Sequence, residues 1–206
     1  MSKPVIFSLR PEPDSLEDAA FLQAMGLAAL ALPMMSIQPD TDGLKDAFAD
    51  ILARPKAELV CTSKQAARFL SKADIPVKNR RVWCVGNGTK QVLADAAFLD
   101  LVAAGGDARS LIEKITASHK NNRQRDGQRY LWLCGADIAV DIVAGLAGAP
   151  CSVTRHTLYK AMPNRDKSVD FQKAVAAGQM VAVCAMSERS LQLFSDWLAL
   201  HYPAFP

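Results

Sequence analysis

Several signatures that would fix a reaction class at a glance are missing from this sequence. It has neither GxGxxG nor GxxxxGKS/T, so nicotinamide-dinucleotide and nucleoside-triphosphate chemistry lose their usual phosphate-binding loops. No GxSxG nucleophile elbow occurs. Cys61, Cys84, Cys134, Cys151 and Cys184 include no CxxC pair, and each lies in or beside a strand-like apolar run. They read as reduced thiols used as small hydrophobes. His119, His156 and His201 have no ligand spacing to one another or to a cysteine, so no metal is expected. Charge of one sign is also lacking. A net charge of +3 with 22% charged residues is too balanced to argue for nucleic acid, and leaves room for an acidic small molecule. The apolar stretch 21–37 is broken by Gly26 and Pro33 and falls short of the ~20 residues a bilayer needs. The opening Met-Ser-Lys-Pro-Val-Ile-Phe has no signal-peptide core. The expectation is a cytoplasmic chain without a membrane span.

What is present is organised around Ala57 to Leu70, AELVCTSKQAARFL. Leu59, Val60 and Cys61 read as a short strand, and Ala66, Ala67, Phe69 and Leu70 as the inward face of a helix. Ser63 stands at the N-cap between them. The first N–H groups of that helix and the positive end of its dipole then point beyond the strand, a ready anion site. The device returns at Met180 to Phe194, with Val181 to Cys184 as the strand and Ser187 as the cap.

Between these, strands and helices alternate at a rhythm that specifies parallel sheets covered on both faces. Strands are expected at 5–9, 27–32, 58–62, 81–85, 98–102, 129–134, 151–156 and 180–184. Asp14 with Glu17 reads as an acidic capping box for the first helix, which stops at Gly26. Two polar segments, SIQPDTDG at 36–43 and TLYKAMPNRDKS at 157–168, read as linkers. They divide the chain into a continuous flavodoxin-like lobe, 40–158, and a discontinuous lobe formed by 1–36 and 161–206. The discontinuous lobe has only three strands and looks incomplete at its C-terminal end, with an exposed sheet edge that invites pairing.

Ligands of open parallel sheets lie beyond the carboxyl ends of the strands. The candidate positions are therefore Arg10, Thr62-Ser63, Gly86 to Thr89, Gly105 to Asp107, Gly135 to Asp137 and Met186-Ser187. Arg10, Thr62, Ser63, Gly86, Thr89 and Ser187 are the ones expected to hold an anion, with Thr89 read as a helix cap and Gly86 as a point of close ligand approach. Asp107 and Asp137 read as carboxylates already seated at the starts of helices expected over 108–118 and 138–147, which disfavours a second anion there. The basic loop with Lys120, Arg123, Arg125 and Arg129 reads as solvated surface, because no aromatic residue interleaves it for base stacking. Trp83, Trp132 and Trp197 read as packing residues. Tyr159, directly after a strand and on the second linker, would present its hydroxyl to a gap between lobes.

The order of these motifs resembles the uroporphyrinogen-III synthase family. The resemblance rests on Leu9-Arg10-Pro11, Cys61-Thr62-Ser63 before a helix, Val85-Gly86-Asn87-Gly88-Thr89, Gly105-Gly106-Asp107-Ala108 leading to Leu111, the strand–helix–strand run from Arg129 to Tyr159, and the Ser187 element. Leu9 departs from a threonine common in the family. The resemblance implies two flavodoxin-like parallel-sheet lobes joined by two connecting segments. It also implies the reaction, cyclisation of hydroxymethylbilane with inversion of ring D and loss of water, with no cofactor or metal. By it Tyr159 assists departure of the hydroxyl. Thr62, Ser63, Gly86, Thr89 and Ser187 with their backbone amides hold acetate and propionate groups, and Arg10 adds a charge-assisted contact. A monomer is expected unless the short lobe pairs. The second reading is a shortened, inactive homologue that binds a polycarboxylate or a protein partner.

Overall fold

The computed structural model describes residues 4–203. The opening Met-Ser-Lys, the last three residues of the tail and the side chain of Arg123 from the basic loop lie outside the described residues. The chain divides into two compact units, Met1–Gln38 with Ala161–Pro206, and Pro39–Lys160.

The first unit is built on a parallel sheet of three strands, β1 (Val5–Ser8), β2 (Ala28–Ala31) and β9 (Val181–Cys184), in the order β2-β1-β9. Val5 lies opposite Ala28 on one side and Val181 on the other. Its helices are α1 (Asp14–Ala24), α7 (Val169–Ala176) and α8 (Glu188–His201). Phe7, Leu9, Met34, Phe171, Phe194 and Trp197 form its core, with the Phe171 ring 5.3 Å from Phe7 and 5.1 Å from Trp197. The capping box expected at Asp14 and Glu17 does not form. Pro13 occupies the cap position without a side-chain bond, and Asp14 lies inside the first turn facing Arg10. Gly26, at φ 81°, ends the helix region in the left-handed conformation that favours glycine.

The larger sheet has six strands in the order β3-β8-β7-β4-β5-β6: β3 (Met35–Pro39), β4 (Glu58–Cys61), β5 (Arg81–Cys84), β6 (Asp100–Ala103), β7 (Gln128–Gly135) and β8 (Cys151–Pro163). The pairs from β8 through β6 are parallel. Connecting helices are α2 (Thr41–Ala53), α3 (Lys64–Ser71), α4 (Asn87–Asp95), α5 (Ala108–Lys120) and the short α6 (Ile142–Gly145). Successive residues of a strand point to opposite faces, and here both faces are buried. Leu59, Cys61, Leu131 and Leu133 join one core, while Val60, Trp83, Tyr130, Trp132 and Cys134 join the other. That is why these strands read as continuous apolar runs.

Three expectations change. Half of the first polar linker and most of the second are strand: β3 covers Met35–Pro39, and β8 continues through Pro163. The helix expected over 138–147 shrinks to α6, capped by Asp141 rather than Asp137. The basic loop is not simply solvated. Arg125 Nη2 donates to Glu58 Oε2 at 2.5 Å and to the Tyr130 hydroxyl at 3.1 Å, and its guanidinium lies over the Trp83 ring.

Candidate functional site

At the carboxyl ends of β4, β5 and β7, beside Tyr159 within β8, the larger unit holds a cleft of about 390 Å³. Its walls include Thr62, Ser63, Val85, Gly106, Trp132, Gly135, Asp137 and Tyr159. The placement follows from local rules. Each parallel strand ends at the same rim, so the turn after it opens on the same side.

Ser63 is extended (φ −154°, ψ 155°) and caps α3 by accepting the Ala66 N–H at 3.0 Å. The first turn of α3 carries no acid, so the positive end of that helix is not offset there by a neighbouring carboxylate. Tyr159, on β8, donates its hydroxyl hydrogen to Ser63 Oγ at 3.0 Å. The phenol ring stacks on Phe69 with centroids 6.0 Å apart and planes inclined by 20°. The phenol also lies against Gly135, where a Cβ would stand 2.7 Å from its Cζ. Glycine is required there by this close approach. Burial pushes the Tyr159 phenol above its ordinary pKa, opposed by the bond to Ser63 and reinforced by Cys134 and Asp137. Thr62 accepts the Trp132 indole N–H at 3.0 Å, which fixes both side chains at the rim. Arg155 spans the adjacent strand end, donating to the carbonyl oxygens of Gly135 at 3.3 Å and Ala136 at 2.9 Å, with its guanidinium over Trp132.

Of the expected residues, Thr62, Ser63 and Tyr159 meet in this cleft. Gly86 and Thr89 are not among its walls. Gly86, not Thr89, is the N-cap of α4; Thr89 lies two residues inside that helix and is only 4% exposed. What approaches Gly86 closely is protein backbone: a Cβ there would lie 3.0 Å from the Gly106 Cα. Arg10 and Ser187 belong to the other unit. Arg10 is held by two carboxylates, Asp14 at 3.1 Å and Asp18 at 2.9 Å, so its charge is largely balanced within the fold. Ser187 caps α8, accepting the Ser190 N–H at 3.1 Å, and Glu188 follows it in the first turn.

Gly135 and Asp137, expected among the strand-end positions, line the cleft as well, whereas Trp132, read as a packing residue, is a wall that the sequence reading missed. A signal existed for it. Trp132 and Cys134 alternate on one face of β7 and Gly135 ends it, the position where strand residues reach a ligand rim. Among the described residues there is no cluster of histidine, cysteine or acidic side chains suited to a metal ion. No described helix is long and apolar enough to cross a membrane.

The arrangement can bind an anion at the start of α3 and can place a phenol and a hydroxyl beside it. A model of the family described as uroporphyrinogen-III synthase HemD matches residues 17–201. A solved variant of uroporphyrinogen III synthase from the extremely thermophilic bacterium Thermus thermophilus shares the fold at a TM-score of 0.59 and 13% identity, over 94% of this chain and 77% of that one. The uroporphyrinogen-III synthetase from Helicobacter pylori aligns at a TM-score of 0.54 and 14% identity, over 95% and 78%. No curated protein sequence matches significantly.

Proposed function

The chain belongs to the uroporphyrinogen-III synthase family, and from that premise we propose that it is a uroporphyrinogen-III synthase, a lyase of tetrapyrrole and heme biosynthesis. It cyclises hydroxymethylbilane, inverting ring D and losing water. The observation that carries the reading is the family match along 17–201. The cleft supports it: a phenol and a helix-capping serine stand together where parallel sheets bind ligands.

The reaction asks for little dedicated chemistry and much positioning. Ring closure without control gives the uninverted isomer, so the protein holds one conformer of a chain bearing eight carboxylates while an azafulvene-like cation forms. Such catalysis works by fixed geometry and preorganised charge. Tyr159 assists departure of the hydroxyl as an acid. Thr62 and the first N–H groups of α3, in the turn that Ser63 caps, receive a carboxylate, and Gly86, Thr89 and Ser187 contribute further contacts through neighbouring amides. At Arg10 a substrate carboxylate competes with Asp14 and Asp18. The proposal includes a cytoplasmic monomer with two lobes, 1–36 with 161–206 and 40–158, and calls on no cofactor.

Supplying hydroxymethylbilane and resolving the oxidised porphyrin isomers tests the reading. Isomer III in large excess over the enzyme-free control is expected. A ratio equal to that control would instead leave a binding protein of the same descent.

A further inference from the structure

The hydrogen-bond directions at Ser63 say more than the capping role. Ser63 Oγ accepts from the Tyr159 hydroxyl at 3.0 Å and from the Ala66 N–H at 3.0 Å. A hydroxyl has two acceptor lone pairs and one proton. Both lone pairs are occupied, so the Ser63 proton is directed away from Tyr159 and from the helix, and Ser63 is a wall of the cleft. The Tyr159 proton has the opposite orientation: it points at Ser63 and not at the open cleft. The ring is held in that pose by its contacts with Phe69 and with Gly135.

We infer that Ser63 is the group that hands the proton to the departing hydroxyl, and that Tyr159 resupplies it, forming a two-proton relay. The inference rests on the reading of Tyr159 as the acid given above. As the carbon–oxygen bond of the hydroxymethyl group breaks, its electron pair leaves with the oxygen. The Ser63 proton completes a water molecule, and the Tyr159 proton moves to Ser63 Oγ. A phenolate and an azafulvene-like cation remain. The new Ser63 hydroxyl now donates back to the phenolate, which compensates in part for charge created in a buried position. The proton released when the pyrrole ring that the cation attacks regains aromaticity after closure of the macrocycle returns to Tyr159, so the cycle balances. The α3 N-terminus contributes by holding Ser63 in the accepting orientation through the Ala66 N–H.

Three variants of the full chain separate relay from helix capping. Ser63→Asn keeps a good cap but has no hydroxyl, Ser63→Ala has neither, and Ser63→Thr keeps both. Single-turnover rates with hydroxymethylbilane should fall at least about tenfold in the Asn and Ala variants, as for loss of a positioned proton donor, with little change in KM. The Thr variant should recover most of the rate. Wild-type protein in H2O–D2O mixtures, which needs no variant to fold, should give a curved dependence of rate on deuterium fraction, since two protons move together. A wild-type rate in the Asn variant, or a straight line for the wild-type protein, overturns the relay while leaving the synthase activity standing. Wild-type protein that yields no excess of isomer III overturns the activity and the relay with it.

Discussion

Ser63 and Tyr159 lie 96 positions apart in the chain and 3.0 Å apart in the fold. Each can be singled out from its neighbours in sequence, one as a cap and one as a tyrosine after a strand. Their pairing depends on β4 and β8 both flanking β7, which no local pattern specifies. Replacing Tyr159 by Phe removes the phenolic proton and keeps the stack on Phe69. Turnover should drop by about 10²-fold, within the range for general acids, while thermal stability changes little; unchanged turnover would remove Tyr159 from the mechanism. The cysteines behave as their surroundings dictate. Burial pushes Cys84 up to about 12 and raises Cys61 as well, which makes both poor nucleophiles. His119, 3% exposed, shares a hydrogen bond of 3.0 Å with the Tyr130 hydroxyl. Burial and then Arg125 depress its pKa, against the opposing pull of Asp126 and Glu58. The unfolded chain therefore takes up a proton below about pH 6.5 that the folded chain resists. Stability is held above that pH and lost as pH falls toward the folded-state pKa, by up to about 1.4 kcal/mol per pH unit for one proton. Urea unfolding between pH 7 and 5 should show this slope, and His119→Phe should flatten it; an identical slope in the variant would assign the protons elsewhere.

Among elements, those with an apolar run or stripe were readable and those that are polar were not. The continuous burial of β4, β5 and β7 and the inward faces of α2, α3 and α5 follow the residue pattern closely. β3 and the far half of β8 were read as linkers because SIQP and KAMP offer little to bury. Backbone pairing made them strands: β3 is an edge strand, where polar side chains and a proline are tolerated. α6 erred in the other direction. The apolar run after Cys134 suggested a longer helix, but Asp141 supplies the cap by accepting from the Val143 and Ala144 N–H groups, and the helix begins there. A side chain that bonds nearby backbone decides a helix start more firmly than a run of propensity. The same reasoning displaced Thr89, since the extended Gly86 takes the cap position at the start of α4.

For the molecule as a whole, the two compact units have separate cores. Phe171 is the centre of one of them, with Phe7, Phe194, Trp197 and Tyr202 around its ring. Phe171→Ala should cost about 3–5 kcal/mol, confined to the unit that contains it. Amide exchange would then accelerate in β1 and β9 and stay slow in β4 and β7; equal acceleration in both sets would show that the units unfold as one. The sequence by itself determined the alternation of strand and helix, the buried thiols, the Ser63 cap and the order of motifs that places the chain in its family, because period, cap chemistry and spacing act over a few residues. Only the tertiary structure decided that polar segments complete a sheet, that Arg125 reaches Glu58, and that Tyr159 donates to Ser63. Those outcomes depend on which strands become neighbours, and strand neighbours are set by burial summed over a whole sheet.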